Sequence, residues 1–405
     1  FQAALPIGLG LRWSSCCSWR TIVPQTFKLA SRSSSNAQLT SDKTAGRSQL
    51  LLYVSYNGCQ YNGAANHSSD WQVRSVSKAL HHHLIQLMGP SRWINRLNIS
   101  SRTDKDVHAL MNTVSVRHSG PIDYSVALLR LMLNASLKQS GESIRIHLIR
   151  PVPLSSGEFS LVTGVARREY VYRLALLAEP GLTLMHPEAA WLGSSRWLVE
   201  PPLSLELLQQ AAGVLNEEHD FSAFTNLNGL SRCYTPLRRL EICVDDSVSV
   251  DRLHACNSFT SDCFTGCVDL HFGARSFLYK QVRFMAGALV ATAKGTVTLD
   301  QLKDMLSNPS DYTGLKPYDA APPHGLYLKC VRYANPKWDL NWPDIQADNA
   351  TLNTDFCRQL LIRFRDKTCP MNIVELSREH EAYLATVAKE ASSVETARDE
   401  SCSRV

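Results

Sequence analysis

The chain has 405 residues, of which 44% are hydrophobic and 20% are charged, with 20 glycines and 18 prolines. This composition is that of an ordinary globular protein, and it excludes a collagen-like chain, a coiled-coil rod and a fully disordered chain. No run of 18 apolar residues occurs, so no membrane span is predicted, and twelve cysteines scattered over a long chain favour a reducing compartment.

The excess positive charge lies in the N-terminal segment. Residues 1–49 hold six Lys or Arg against one acid, and the rest of the chain holds 36 residues of each sign. A segment rich in Arg and Ser and poor in acids is typical of an organelle transit peptide. We therefore predict that residues 1–48 direct import into the mitochondrial matrix. The alternatives are a secretory signal with its apolar region at residues 3–11, and a plain tail.

The hydrophobic pattern that follows predicts two successive units with the order β-α-β-β-α-β. The first unit comprises strand 50–56, a helix with apolar positions from Val73 to Leu87, strands 93–99 and 113–116, helix 126–137 and strand 144–148. The second comprises strand 170–176, helix 204–215, strands 240–244 and 268–272, helix 277–294 and strand 326–333.

Two such units predict an α+β fold made of two ferredoxin-like halves, with mainly antiparallel sheets that flank a cleft. The predicted halves are residues 49–150 and 151–335. Residues 336–405 are predicted to form an extension with a charged amphipathic helix near its end and disorder from Ser392 onward.

A polar segment beginning at Ser101 lies between predicted strands 93–99 and 113–116, where the first half would face the second. Side chains of this kind suit a functional site, although Ser, Asp and Thr are also common in exposed turns. Its sequence from Ser101 to Ala109, SRTDKDVHA, resembles the GRTDAGVHA signature of the TruA family of tRNA pseudouridine synthases.

Four further blocks resemble the same family in the same order. They match the family patterns R-x-Y-x-Y, H-D-F-x-x-F, F-L-x-x-M-V-R-x-x-x-G and A-P-P-x-G-L-x-L, and begin at Arg168, His219, Phe277 and Ala321. Together the five blocks span about residues 50–335. The resemblance implies the pseudouridine synthase fold and the isomerisation of uridine to pseudouridine in RNA, most often tRNA, without a cofactor or a metal.

The resemblance also implies roles for individual residues. Asp104 is the implied nucleophile, since a carboxylate can attack carbon. Whether it attacks C6 of the base or C1′ of the sugar stays open. The other implied site residues are the cation Arg283 beside Asp104, Arg102 on the RNA backbone or in the gap left by the target nucleotide, Tyr170 against the uracil ring, and Leu326 in the apolar wall. Each also has a plain structural interpretation, and for Tyr172, two residues after Tyr170, a place in the core is favoured.

Departures from the family pattern sustain an alternative, a catalytically weak or inactive RNA-binding or RNA-folding protein. Ser101, Lys105 and Asp106 replace Gly, Ala and Gly of the signature, residues 63–65 read Gly-Ala-Ala where the family has G-W-Q, and Val162 stands where the family has Arg. The family further implies a homodimer. The implied substrate is the anticodon stem-loop of tRNA, with other tRNA positions or messenger RNA as alternatives.

Two other patterns bear on partners. Local basic pairs predict an RNA-binding face: Arg145 with Arg150, Arg167 with Arg168, Arg238 with Arg239, and Arg275 with Lys280. Five potential zinc ligands fall close together without C-x-x-C spacing, and a metal site is therefore not predicted from them: His254, Cys256, Cys263, Cys267 and His271.

Overall fold

The first half of the chain folds with the predicted order of elements. The computed structural model describes residues 47–65, 73–89, 92, 94–153, 159–181, 192–226, 235–247, 264–366 and 372–402. Its first six elements are β1 (Arg47–Tyr56), α1 (Val76–Met88), β2 (Ile94–Ile99), β3 (His108–Ser119), α2 (Val126–Gln139) and β4 (Ile144–Val152). Strand β3 is longer than its apolar run because its first residues pair with β1.

The second half repeats the order and adds two short strands. Its elements are β5 (Val165–Leu177), β6 (Trp197–Val199), α3 (Leu205–Leu215), β7 (Glu217–Asp220), β8 (Leu237–Asp245), β9 (Phe264–Ala274), α4 (Gln281–Ala293), α5 (Leu299–Ser307) and β10 (Leu326–Tyr333). Periodicity did not reveal β6 and β7, which have three and four residues.

The two halves share one sheet, and the predicted α+β class is confirmed. The strand order is β4-β1-β3-β10-β5-β9-β8-β7, with β2 paired to β3 and β6 to β5. Most pairs are antiparallel, but β10 joins β3 in parallel through Tyr327 opposite His108. Residues 46–405 are accordingly one compact unit. This junction brings the start of β10 beside the end of the polar segment that precedes β3.

Helix starts are determined by local sequence. Ser75, Ser125 and Ser204 each accept a hydrogen bond from a first-turn backbone N–H, at α1, α2 and α3. The spacing of Thr298 and Gln301 in the sequence predicts a capping box, and it is present at α5 with both reciprocal hydrogen bonds. These caps satisfy backbone donors that a helix start leaves unpaired.

The C-terminal extension packs on the first half. It contains α6 (Trp342–Thr351), α7 (Asp355–Arg365) and α8 (Ile373–Cys402). The Ser377 hydroxyl accepts a hydrogen bond from the backbone N–H of Ser125 at 3.0 Å. The backbone of α8 stays helical past Ser392, where composition predicted disorder. The predicted transit peptide lies outside the described residues, except for Arg47 and Ser48, which begin β1.

Candidate active site

The segment between β2 and β3, residues 100–107, forms a loop that we call the Asp104 loop. A turn closes it, with the Val107 N–H donating to the Asp104 carbonyl at 3.2 Å. Asp106 follows with φ of 64°, in the left-handed region. The related family carries Gly at this position, and Asp is among the few other residues that tolerate this conformation. The Asp106 substitution is therefore compatible with the backbone of the loop.

Buried hydrogen bonds hold the residues on both sides of Arg102. The Asn112 side chain is fully buried and donates to the Ser101 carbonyl at 2.8 Å and to the Tyr56 hydroxyl at 3.2 Å. The Tyr56 and Thr103 hydroxyls are 2.8 Å apart. Because Ser101 and Thr103 are fixed while Arg102 is exposed, the Arg102 side chain extends from an anchored backbone. Sequence reasoning missed Asn112, which reads as an ordinary strand residue.

The segment after β1 supports the same loop from below. The backbone N–H of Ala64 donates to the Thr103 carbonyl at 3.1 Å. Gly63, with φ of 96°, lies so close that a Cβ atom would be 2.8 Å from the same carbonyl oxygen. The Gly58 N–H donates to Nδ1 of His108 at 3.1 Å. Glycine is required at these approaches, which explains why this part of the family pattern is kept.

All five predicted site residues line one cleft of about 1090 Å³. Arg102 and Asp104 come from the first half, while Tyr170, Arg283 and Leu326 come from β5, α4 and β10. Among the described lining residues, Asp104 is the only carboxylate, and it is accompanied by five cations: Arg102, Arg168, Arg275, Lys280 and Arg283. The cleft is therefore suited to a polyanion.

Tyr170 connects the two halves at the floor of this cleft. Its hydroxyl is 2.9 Å from the Ser101 hydroxyl, and its ring meets Phe277 edge-on with centroids 5.2 Å apart. Burial raises the pKa of Tyr170, and the negative charge of Asp104 raises it further, whereas the Ser101 hydrogen bond and Arg168 lower it. The phenol is thus a neutral hydroxyl in the electrostatic field of the Asp104 carboxylate.

Arg283 and Leu326 are positioned by the turn that leads into β10. Nε of Arg283 donates to the Ala321 carbonyl at 2.7 Å, and the Ala321 N–H donates back to the Arg283 carbonyl at 3.0 Å. Leu326 is 6% exposed at the start of β10. Tyr172 does not line the cleft. It is fully buried, and its hydroxyl donates to the Pro322 carbonyl at 2.7 Å, as a core residue would.

Comparisons with known proteins agree with this geometry. Residues 211–334 match the model of a family described as tRNA pseudouridine synthase. The chain is 31% identical to tRNA pseudouridine synthase-like 1 of Xenopus laevis, over 71% of this chain and 92% of that protein. It is 31% identical to the Homo sapiens protein of the same name, over 71% and 91%. It is 29% identical to tRNA pseudouridine synthase A of Allorhizobium ampelinum, over 72% and 96%.

The chain belongs to the TruA family of tRNA pseudouridine synthases. It is an isomerase of the class that makes pseudouridine in tRNA. One residue of a family block joins the two halves beside Asp104. Arg168, the first residue of the R-x-Y-x-Y block, donates to the Ser100 carbonyl at 3.0 Å and to the Arg275 carbonyl at 2.7 Å. It thereby bridges the Asp104 loop and the segment before α4.

Burial lowers the pKa of Arg168, and no carboxylate of the described residues forms an ion pair with it. Three other arginines of the predicted basic pairs have carboxylate partners. Arg167 binds Glu241 at 2.9 Å, Arg239 binds Glu217 at 3.4 Å, and Arg150 binds Asp344 of the extension. These three arginines are therefore paired with carboxylates, and the common RNA-binding face stays a prediction.

The Cys and His cluster is only partly described. Cys267 is buried on β9 and His271 is half-buried on the same strand, while the other three residues lie outside the described ranges. Within the described part of the chain, no group of three or more potential ligands could hold a metal ion. No helix there is long and apolar enough to cross a membrane.

Proposed function

We propose that Asp104 is the nucleophile with which this enzyme isomerises a uridine of tRNA. The observation that carries the proposal is the single described carboxylate in a cleft lined by five cations. Nearby positive charge favours the ionised and nucleophilic form of a carboxylate. The buried Tyr170 hydroxyl lies in the field of the same carboxylate, as expected for a residue in contact with the uracil.

The proposed reaction needs no oxidant, reductant or second substrate. The carboxylate forms a bond to C6 of the base or C1′ of the sugar, and the N1–C1′ bond breaks. The uracil turns in the cleft and C5 bonds to C1′. If Asp104 attacked C1′, its bond to C1′ breaks as the C5 bond forms; if it attacked C6, its bond to C6 breaks as the C5 proton leaves. In both cases the C5 proton is lost and N1 gains a proton. Arg283 balances the charge of the carboxylate, and Leu326 forms apolar wall against which the ring turns.

The target uridine must leave its base stack to reach Asp104, at a cost of a few kcal/mol. In the proposal, the ring of Tyr170 contacts the extruded uracil and offsets part of this cost. Arg102, exposed beside the nucleophile, occupies the gap or holds the backbone phosphate. Its anchored backbone lowers the entropy lost on contact with RNA.

The test uses tRNA labelled with tritium at uridine C5, because isomerisation releases that label and binding does not. Asp104→Asn keeps the side-chain volume and removes the nucleophile, so release should cease while RNA affinity changes little. Asp106→Asn is the matched control and should keep substantial activity. If folded Asp104→Asn protein still releases tritium near the original rate, the assignment fails. If the unaltered enzyme binds RNA but releases none, the alternative of an inactive RNA-binding protein prevails.

We further propose that residues 1–48 direct the enzyme to the mitochondrial matrix. Their excess of Arg and Ser over acids supports this. A fluorescent protein fused to this segment should accumulate in mitochondria, and a diffuse cytosolic signal would contradict the proposal.

We also propose a homodimer that holds one RNA stem across two subunits, as the family resemblance implies. Light scattering at micromolar concentration should give the dimer mass, and a monomer mass would contradict it. Transfer RNA is the proposed substrate because the family and the relatives are named for it. Tritium release from messenger RNA but not from tRNA would overturn this choice.

A further inference from the structure

Tyr279 is a large aromatic residue at the rim of the cleft that the reaction above does not use. Its side chain is 43% exposed, and it lines the same cleft as Asp104. We propose that Tyr279 and Lys280 form a stacking subsite for an unpaired nucleotide next to the target uridine. This inference rests on the proposed function, and it adds a requirement on the substrate.

The backbone that carries Tyr279 is fixed before any ligand arrives. The Thr225 hydroxyl, in a fully buried residue, donates to the Tyr279 carbonyl at 2.7 Å. The side chain of the fully buried Gln281 accepts from the Leu278 N–H at 2.7 Å. Lys280 between them adopts a left-handed conformation, with φ of 58°. Since the segment is already ordered, stacking on the ring costs little conformational entropy.

The ammonium group of Lys280 lies over the Tyr279 ring. Nζ of Lys280 lies 5.3 Å from the Tyr279 ring centroid, within the range of a cation–π contact. A base that stacks on this ring brings a phosphate within reach of the ammonium group. Among the described residues the Tyr279 hydroxyl makes no hydrogen bond, so no polar contact holds the tip of the side chain.

The cleft also carries an exposed apolar side chain. Val162, which stands where the family pattern has Arg, is 62% exposed and lines the same cleft. An exposed apolar side chain and an aromatic ring both offer contact to the face of a base. A base reaches such a surface only when it is unstacked from its neighbours. The inferred substrate therefore presents an unstacked nucleotide next to the target uridine, as a loop or the junction of a stem and a loop does.

The experiment compares stem-loop RNAs labelled at C5 of a loop uridine, with the 5′ or the 3′ neighbouring base intact or abasic. Tyr279→Leu should raise KM about tenfold with kcat within about twofold, whereas Tyr279→Phe and Tyr279→Trp should stay near the unaltered enzyme. On the RNA that lacks the stacked base, the unaltered enzyme should show the raised KM, and Tyr279→Leu should add nothing. Trp342→Leu is the control, since Trp342 is 66% exposed and does not line the cleft.

Three results would overturn the subsite: an unchanged KM for Tyr279→Leu, an equal rise on intact and abasic RNAs, or a changed oligomeric mass, which would indicate a contact between two copies. Binding of RNA with 2-aminopurine beside the target, measured with Asp104→Asn protein, separates the two proposals. Fluorescence quenching that depends on Tyr279 supports the subsite whether or not tritium is released. Absence of tritium release from the unaltered enzyme would count against the proposed function alone.

Discussion

The two faces of strand β5 differ in whether their arginines are paired with carboxylates. On one face, Arg167 pairs with Glu169 and with Glu241 of strand β8, which lies beyond β9 in the sheet, at 3.6 and 2.9 Å. On the other face, Arg168 and Tyr170 line the cleft, and Arg168 binds backbone carbonyls. Successive residues of a strand point to opposite faces. Arg167 and Arg168 are adjacent in the sequence, yet Arg167 is paired with carboxylates and Arg168 with backbone carbonyls.

The same contrast extends across the sheet. The face that carries Arg167 holds further ion pairs: Arg173 with Asp269 and Arg332 with Glu169. In the cleft, none of the five cations has a carboxylate partner within 4.0 Å among the described residues. Arg168 donates to two backbone carbonyls and Arg283 is the proposed partner of Asp104, so Arg102, Arg275 and Lys280 are the cations proposed to meet phosphate groups. The proposed RNA-binding face thus depends on which basic residues are unpaired and not on how many there are.

Among the predicted changes, replacement of Arg168 should have the largest effect on activity. Arg168→Met leaves the part-buried Ser100 carbonyl unpaired, at a cost of about 1–3 kcal/mol, removes the exposed hydrogen bond to the Arg275 carbonyl, and frees the Asp104 loop. We expect roughly a hundredfold loss in kcat/KM, the size of effect that displacement of a reacting group produces. Arg167→Met is the matched control and should change unfolding free energy by about 0–1 kcal/mol, with activity within about twofold.

Arg168→Lys separates charge from geometry, because one ammonium group keeps the charge but does not reproduce the planar fork that spans both carbonyls. Activity of Arg168→Lys near that of the unaltered enzyme would show that charge alone matters and that the bridge does not.

The hydroxyl pair between Ser101 and Tyr170 should have the next largest effect. Ser101→Ala removes a buried hydrogen bond worth about 0.5–1.5 kcal/mol, so kcat should fall about fivefold with KM nearly constant. In a Tyr170→Phe background the same change should add little, since the partner hydroxyl is already absent. Equal effects in both backgrounds would mean that Ser101 acts independently of Tyr170.

The salt dependence of RNA binding tests the difference between paired and unpaired cations directly. Arg275→Gln in the cleft should reduce the slope of log affinity against log salt by roughly one. Arg332→Gln, on the opposite face and paired with Glu169, should leave the slope unchanged. Titrations of RNA binding at about 50 to 200 mM salt measure the slope for both variants. Equal slopes for the two variants would contradict the assignment of the RNA face.

The smallest expected effect is that of His108, which accepts a hydrogen bond from the Gly58 N–H beneath the Asp104 loop. Burial lowers the pKa of His108 from 6.5 to about 4. The folded protein therefore holds this imidazole neutral while the unfolded chain binds a proton. Its contribution to stability is present above pH 6.5 and is lost as the pH falls from 6.5 toward 4.

In His108→Gln, the unfolding free energy should depend less on pH between these values, because up to about one proton fewer is taken up on unfolding. Comparison of urea unfolding at several pH values measures this difference. An unchanged slope would mean that His108 is protonated in the folded protein over this range.

Local sequence predicted much of this protein. The hydrophobic periods gave the order of elements in both halves, Thr298 and Gln301 predicted a cap that is confirmed, and ordered motifs indicated the family and five residues that line one cleft. These features depend on side chains near in sequence, whose spacing determines which face is buried and which backbone donors are satisfied. The boundary between the halves at residue 150 stays a prediction.

Only the tertiary structure decided which charges are paired with carboxylates and what holds the loop of Asp104, the proposed nucleophile. The bridge of Arg168 joins residues 68 and 107 positions apart, and the hydroxyl contact of Ser101 with Tyr170 spans 69. The parallel pairing of β10 with β3, which brings the two halves into one sheet, joins residues still farther apart in the chain. No local pattern encodes such contacts, because a charge is neutralised or left free by neighbours that folding alone brings within hydrogen-bonding distance.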